Sequence, residues 1–535
     1  MSFSECNVLL VYPRFLAGSF WNYGATCELV GAKYPAPPLG LITVAAMLPE
    51  NWSVKLIDRN TEELHDEDLD WADLVLTGGM LPQQSDALNV IRMCRERKLP
   101  VAVGGPDATS SPEVYETADF RVLGEAEGIL EKFLSAWEDG VRAGTFEAEK
   151  FKADVTTSPI PRFDLLKFDS YVQIGVQYSR GCPFTCEFCD IIELYGRRPR
   201  TKTNEQMLAE LDRLYELGYR GHIDFVDDNL IGNKKAVKAF LPTLIDWQKK
   251  HNRPFEMSTE ASLNLADDDA LLALMQEAGF FSVFIGIESP DPEVLNATRK
   301  KQNTRRDIAK SVHRIYDAGI WVLAGFIVGF DEESDQVADE ISSLIEEAAI
   351  PVAMTGLLFA LPNTQLTRRL AREGRLHADF ASDDPNTIDG DQCTAGLNFK
   401  TLRDRAAILR DFRTVIDRVY SPEAYFKRVQ TVAGMLKMDG ANGELVGGGL
   451  AHDLKQFGRL MWAMTFTNKT YRWPFWKTLA ITAFTNFRAI KPVMMMIALY
   501  VHLGPFSRFV IGQIDKQIDE IENGTWSAPE LVAAE

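Results

Sequence analysis

At 535 residues the chain exceeds what one hydrophobic core can serve, so two to four domains are expected. Apolar residues at 46% and charged ones at 25% exclude a disordered chain. A net charge of −19 excludes general nucleic-acid binding, because a phosphate-binding surface needs a basic excess.

The chain opens with short β-branched and aliphatic runs that read as buried parallel strands: Asn7–Tyr12, Ser53–Asp58, 74–77, 101–103 and Phe120–Leu123. Helical periodicity at 39–48, 83–98 and 126–137 falls among them. Such β-α units imply a doubly wound, Rossmann-like sheet whose ligand site lies at the carboxyl ends of the strands. Glycines stand at those ends: Gly78 and Gly79, then Gly104 and Gly105, then Gly124 followed by Glu125. Glycine lets a backbone approach a bulky ligand, although tight βα turns alone would also use it. No G-x-G-x-x-G follows the first strand, which disfavours a dinucleotide. The connection 13–38 is long and carries Phe15, Phe20, Trp21, Tyr23 and Tyr34. It reads either as a cap over a ligand or substrate pocket or as an Ω-loop packed on itself.

Residues 139–161 are polar and read as an interdomain connection. From Tyr171 the alternation resumes, with strands at 172–177, 221–226, 255–259, 282–287, Trp321–Val328 and 353–358 and helices such as 204–217 and 270–278. These six units imply a partial (β/α)6 barrel with its active site at the carboxyl ends of the strands. The expected division is 1–140, a linker 141–170, a barrel 171–374 and a mostly helical region 375–535.

A cysteine loop follows the first barrel strand: Tyr178-Ser-Arg-Gly-Cys-Pro-Phe-Thr-Cys-Glu-Phe-Cys189. Cys182, Cys186 and Cys189 have the spacing C-x3-C-x2-C. Closely spaced thiolates are the usual ligands of iron–sulfur clusters, and three of them leave one iron of a four-iron cluster open to another ligand. Structural zinc wants a second cysteine pair, which the chain lacks, and a disulfide is disfavoured. The stretch, including Phe188, resembles the cluster loop of the radical S-adenosylmethionine (SAM) enzymes.

That resemblance implies roles for the strand ends. SAM would chelate the open iron, Glu260 would accept from its ribose hydroxyls, and Gly325 and Gly329 would admit the adenine. Glu288, in Gly286-Ile-Glu-Ser289, and Phe188 would complete the SAM site, with Lys301 and Arg305 as partners for the carboxylate. Asp227 and Asp228 serve equally well as ligand contacts or as barrel-rim charges. The N-terminal landmarks Pro37-Pro38-Leu39-Gly40-Leu41, Ile57-Asp58, Gly104-Gly105-Pro106 and Leu123-Gly124-Glu125-Ala126-Glu127 resemble, in this order, the cobalamin-binding domain that precedes many radical SAM modules. Gly78, Gly79, Gly104, Gly105, Gly124 and Glu125 would then line the cobalamin, and residues 80–84 would lie under the cobalt. The D-x-H-x-x-G motif is absent and Asp107 stands where a histidine is common, so the resemblance implies cobalamin without histidine ligation.

Beyond about residue 375 the β pattern stops; 383–399 is polar, and helical periodicity dominates from Leu402. From Gln456 to Gly512 there is no Asp or Glu, while Arg459, Lys469, Arg472, Lys477, Arg488, Lys491 and Arg508 are interleaved with aromatics. Basic, tryptophan-bearing helices suit the surface of an anionic bilayer; a helical domain with aromatics packed on the barrel is the alternative. The longest apolar run, 492–506, falls short of the ~20 residues that span a bilayer, and no secretory signal opens the chain. A cytoplasmic protein is expected, either soluble or peripheral on the inner face of the membrane through 456–512.

The whole order of parts resembles the class that includes the hopanoid C-2 methylases. The resemblance implies a [4Fe-4S] cluster, SAM and cobalamin as cofactors, an external flavodoxin- or ferredoxin-type electron donor, and methylation of an unactivated carbon in a hydrophobic lipid or natural product. Radical cyclisation, oxidation or carbon–carbon coupling without methyl transfer is the alternative, and a non-catalytic cobalamin sensor a further one.

Overall fold

The computed structural model describes residues 4–16, 18–378, 392–438, 450–467 and 469–532. Within it the chain divides into two compact units, Met1–Asn22 with Lys33–Pro183 and Asp190–Tyr219, and Tyr23–Ala32 with Phe184–Cys189 and Arg220–Glu535. Part of the polar stretch expected at 383–399 lies outside the described residues.

The first unit is built on strands β1 (Asn7–Tyr12), β2 (Ser53–Asp58), β3 (Leu74–Gly78), β4 (Val101–Gly104), β5 (Phe120–Leu123) and β6 (Gly144–Glu147). All pair in parallel in the order β2-β1-β3-β4-β5-β6. Strand order reverses between β1 and β3, which makes their carboxyl ends the crevice where such sheets bind ligands. The inner strands are buried on both faces, as their aliphatic runs require: Leu9, Val75 and Val101 pack on one side, and Leu10, Leu76 and Phe120 on the other. The polar stretch 139–161 is more than a linker, because it carries β6, which extends the sheet beside β5. Four residues with only Phe146 half-buried carry too little hydrophobic signal to announce a strand.

The unit continues with β7 (Gln173–Val176) and a two-residue antiparallel ribbon, β8 (Ser179–Arg180) with β9 (Arg200–Thr201). The helix Asn204–Glu216 then starts on a capping box, with Thr203 accepting from Gln206 N–H and Gln206 accepting from Thr203 N–H.

In the second unit β10 (Gly221–Phe225), β11 (Phe255–Glu260), β12 (Phe280–Glu288), β13 (Trp321–Val328) and β14 (Val352–Leu357) pair in parallel in chain order. With β7, all six expected barrel strands are present. The intervening helices begin on acidic caps: Asp268 accepts from Leu271 N–H and Asp307 from Lys310 N–H.

The tail is helical, with Arg405–Val419, Pro422–Met435, Leu450–Trp462, Arg472–Thr485 and Ile490–Glu522. The last helix corrects the expectation of a run too short to cross a membrane, since it is 33 residues long and passes through Pro505. It is long and apolar enough to span a bilayer, yet 56% of its most apolar window is buried in the protein. Its backbone carbonyls also serve internal partners: Tyr425 Oη donates to Met496 O at 2.7 Å and Thr26 Oγ1 to Ala498 O at 2.8 Å. These contacts make it a core helix. The second bond also resolves much of the 13–38 connection, which folds into a helix, Gly24–Val30, that packs on this tail helix rather than closing on itself.

Candidate functional site

The cysteine loop begins with a backbone constraint. Gly181 has φ +97°, and a Cβ there would lie 2.9 Å from Gly196 O and 3.2 Å from Tyr195 O, so only glycine fits. Cys182 N–H donates to Gly196 O at 3.2 Å. Downstream, Glu187 N–H donates to Thr298 O, Glu187 O accepts from Leu366 N–H, and the Glu187 carboxylate pairs with Arg369 at 2.8 Å. Both ends of the loop are therefore anchored by backbone hydrogen bonds and by the Glu187–Arg369 pair. The seven cysteines form no disulfide.

Around the second half of the loop lie groups suited to thiolates. Gln302 Nε2 donates to Cys186 Sγ at 3.8 Å. Lys300 Nζ sits 5.9 Å from the centre of the Phe188 ring and 2.6 Å from Glu288 Oε1. Burial pushes the Cys186 thiol up, and Lys300 and Gln302 oppose it. Burial would also pull Lys300 down, but Glu288 and the sulfurs of Cys186 and Cys189 outweigh it and hold the ammonium above its ordinary value. Among the described residues no three His, Cys, Asp or Glu side chains converge on a point to hold a single ion. Ligands of a four-iron cluster need no such convergence, because each thiolate binds a different iron. The donor set fits a cluster.

Along β10 and β11 the alternation of strand side chains puts His222 and Asp224 on one face with Glu256, Ser258 and Glu260, His222 in register with Glu256 and Asp224 with Ser258. Ser258 Oγ donates to Asp224 Oδ1 at 2.5 Å and lies 2.7 Å from His222 Nε2. Burial pushes Asp224 up, and burial with Lys491 pulls His222 down to about 3. Glu260 reaches solvent, yet burial among Asp224, Asp228 and Asp227 pushes its carboxyl up to about 8. This acidic end of the sheet suits a ligand that brings ammonium and sulfonium charge and ribose hydroxyls. Expected SAM contacts on the neighbouring strands prove tightly packed: a Cβ on Gly325 would lie 3.2 Å from the Phe284 ring, and one on Gly329 (φ +116°) 2.6 Å from Leu397. Gly329 N–H donates to the buried Glu333 carboxylate at 2.9 Å.

In the first unit the glycines fit between strand ends. A Cβ on Gly78 would lie 2.4 Å from Gly104 O, one on Gly104 2.9 Å from Val122 O, and one on Gly79 2.6 Å from Gln83 Oε1. Gly105 (φ +89°) and Gly124 (φ +86°) occupy conformations that favour glycine. These turns present bare backbone at the crevice, which suits a large flat ligand. In the 80–84 loop, Gln83 Nε2 donates to Pro13 O at 2.6 Å and Gln84 Nε2 to Asp107 at 3.0 Å, leaving Met80 as its exposed side chain. Asp107, buried and pushed up by that burial, also accepts from Tyr115 Oη at 2.5 Å. Glu125 does not face the crevice freely; it pairs with Arg180 at 3.2 Å and Arg200 at 2.8 Å.

Several of these residues escape sequence reasoning. Lys300, rather than Lys301, reaches Glu288 because it follows the end of the helix Pro292–Ala297, and a basic run alone does not reveal which member turns inward. Gln302, Ser258, His222 and Arg180 carry no motif. The period-two spacing of Glu256, Ser258 and Glu260 is the one signal that could have placed Ser258 on the inner face.

Three family models match the chain: the B12 binding domain over residues 29–134, the radical SAM superfamily over 176–345 and a domain of unknown function over 364–516. An uncharacterized methyltransferase of Synechocystis sp. is 47% identical, over 79% of this chain and 77% of that protein. The hopanoid C-2 methylase of Rhodopseudomonas palustris is 38% identical, over 79% of this chain and 78% of that protein. Among solved structures, the cobalamin-dependent SAM radical enzyme OxsB with aqua-cobalamin and SAM bound has a TM-score of 0.57 at 14% identity, covering 98% of this chain and 82% of that one. It shares the fold.

Proposed function

This chain belongs to the cobalamin-dependent radical SAM methyltransferases, and we propose that it methylates an unactivated carbon of a hydrophobic substrate, a lipid or natural product. Its cofactors are a [4Fe-4S] cluster, SAM and cobalamin, and it takes a small-molecule substrate and a reductant. When bound, these groups supply hydrogen abstraction and a methyl group.

The chain's own residues hold and shield. Cys182, Cys186 and Cys189 ligate the cluster, with Gln302 and Lys300 stabilising the thiolates. Glu260 would accept from the ribose, Lys300, held by Glu288, would offer its charge to the methionyl carboxylate, and Gly325 and Gly329 keep the strand end narrow. Gly78, Gly79, Gly104, Gly105 and Gly124 would line the cobalamin, with Met80 the exposed side chain of the adjoining loop. Phe188, packed 5.8 Å from Phe330, helps keep water from the cluster. These roles follow the proposed division into a cobalamin domain at 1–140, a barrel at 171–374 and a helical tail from 375. A flavodoxin or ferredoxin supplies the electron.

The observation that carries the hydrophobic substrate is the tail's surface. Phe484 is 92% exposed, Trp473 77%, Phe487 72%, Trp462 65% and Phe466 56%, in a stretch without a single acidic residue. Soluble proteins rarely leave so many large apolar side chains bare. An interfacial helical face of this kind would rest on the inner leaflet and draw a lipid from it. The relation to a hopanoid C-2 methylase supports a polycyclic lipid as the class.

The test is an anaerobic incubation of reconstituted protein with SAM, dithionite and lipid extract. Methyl transfer predicts S-adenosylhomocysteine alongside 5′-deoxyadenosine and a product heavier by one methylene. Deoxyadenosine alone would replace this reading with a radical reaction lacking methyl transfer.

A further inference from the structure

Two acidic residues of the β5 turn hold the strand that leads into the cysteine loop. Arg180 stands two residues before Cys182. Its guanidinium grips Glu127 with two nitrogens, Nη2 to Oε1 at 2.8 Å and Nη1 to Oε2 at 2.9 Å, and reaches Glu125 at 3.2 Å. Its Nε donates to Gln177 at 2.8 Å. Directly across the β8–β9 ribbon, Arg200 pairs with Glu125 at 2.8 Å and donates to Ala153 O at 2.8 Å and Tyr195 O at 3.0 Å. Ser158 Oγ donates to Glu127 at 2.5 Å.

The four charged side chains are nearly shut off from water, with Arg180 and Arg200 exposed 14% and 16% and Glu125 and Glu127 5% and 3%. Burial alone would raise Glu127, but Arg180 overrides it and holds the carboxyl at about 2. Buried ion pairs are a poor way to gain stability, since apolar packing of equal volume does as well, and what they add is geometry. A two-residue ribbon cannot hold its own position. The bidentate fork can, because it fixes distance and plane together.

We propose that Arg180, with Arg200, Glu125 and Glu127, is a positioning clamp. It registers Cys182, at the head of the cysteine loop, against the cobalamin-binding turn within the first unit, and so sets how far that cluster ligand stands from the cobalamin. The acidic pair lies within the stretch matched by the B12 binding domain, and the two arginines within that matched by the radical SAM superfamily. Hydrogen abstraction and methyl transfer must act on the same carbon, and a displacement of about 1 Å costs such geometry dearly. The inference rests on the family's cofactors and not on the substrate proposed above.

The test uses holoprotein carrying the reduced cluster and cob(II)alamin, both paramagnetic, with pulsed dipolar EPR reading the distance between them. Arg180→Lys keeps the charge but loses the fork; Glu127→Gln weakens the same contact without touching Arg180. The expected result is full iron and cobalamin loading with a broadened distance distribution in both variants, sharpened again in the charge-exchanged Arg180→Glu/Glu127→Arg protein. In turnover, deoxyadenosine per S-adenosylhomocysteine should rise roughly twofold or more as abstraction uncouples from methylation. An unchanged distribution in fully loaded variants would overturn the proposal. So would a fall in cofactor loading and thermal midpoint with the distribution of the loaded fraction unchanged, since that marks a purely structural pair. If Arg180→Lys does not fold, Glu127→Gln carries the same decision.

Discussion

Lys300 stands between Glu288, 2.6 Å from its ammonium, and the Cys186–Cys189 half of the cluster loop, with the Phe188 ring beneath it. Glu288 adopts a φ of +70°, an uncommon conformation for a side-chain-bearing residue, and that turn aims its carboxylate at Lys300. A fixed positive charge beside cluster thiolates favours the reduced, more negative cluster. Lys300→Met should lower the midpoint potential, and about 1 kcal/mol of lost attraction corresponds to roughly 40 mV for a one-electron couple. An EPR-monitored redox titration checks it. A potential unchanged in a fully loaded variant would show that Lys300 serves only Glu288 or SAM.

Glu260 offers a pH signature. Its folded pKa of about 8 lies above the usual 4.5, so folding favours the neutral carboxyl. The stability this contributes is complete below 4.5 and is lost as pH rises through 8. The thermal midpoint of the cofactor-free protein should therefore fall from pH 5 to pH 9 relative to Glu260→Gln. SAM, bringing positive charge, should bind the wild type more tightly as Glu260 ionises, and Glu260→Gln should flatten that rise. Parallel pH profiles for the two proteins, by calorimetry, would remove Glu260 from the SAM site.

Each loop cysteine is expected to be indispensable to the cluster and dispensable to the fold. Cys186→Ala removes one buried sulfur, a loss of roughly 1 kcal/mol or less in packing. Iron per chain should collapse while the circular dichroism and cobalamin binding persist. Retention of a full iron complement would mean that these cysteines are not the ligands.

The bare aromatics predict lipid binding. Wild-type protein should co-float with anionic vesicles and lose that binding at high salt, because basic residues near the surface add about 1 kcal/mol each. Replacing Trp462, Trp473 and Phe484 together with Ser should weaken partitioning roughly tenfold to a hundredfold while leaving the melt unaltered. Failure of the wild type to float on any vesicle would end the membrane reading.

How much of this was legible in order along the chain follows from the range of the interactions. Aliphatic runs announce buried strands because a residue's burial in a parallel sheet is a local, periodic demand; five strands of the first sheet and all six barrel strands were readable that way. The loop's chemistry was readable because three thiolates in eight residues need no tertiary help to share a metal centre. β6 escaped because its partner β5, and not its own hydrophobicity, makes it a strand. The tail helix escaped because an apolar run interrupted by His502 and Pro505 looks short until its neighbours bury it.

The site divides along the same line. Cys182, Cys186 and Cys189 stand out in the sequence because their spacing is a property of consecutive residues, whereas Glu260 could be singled out at its strand end only through the family resemblance. Tertiary structure decided that Glu125 is spent on Arg180 and Arg200, that Lys300 and not Lys301 turns toward Glu288, and that Gly78 is demanded by the carbonyl of Gly104. Those choices depend on groups far apart in the chain, whose meeting is set by how the sheets and ribbon pack, and no local pattern encodes a distant partner.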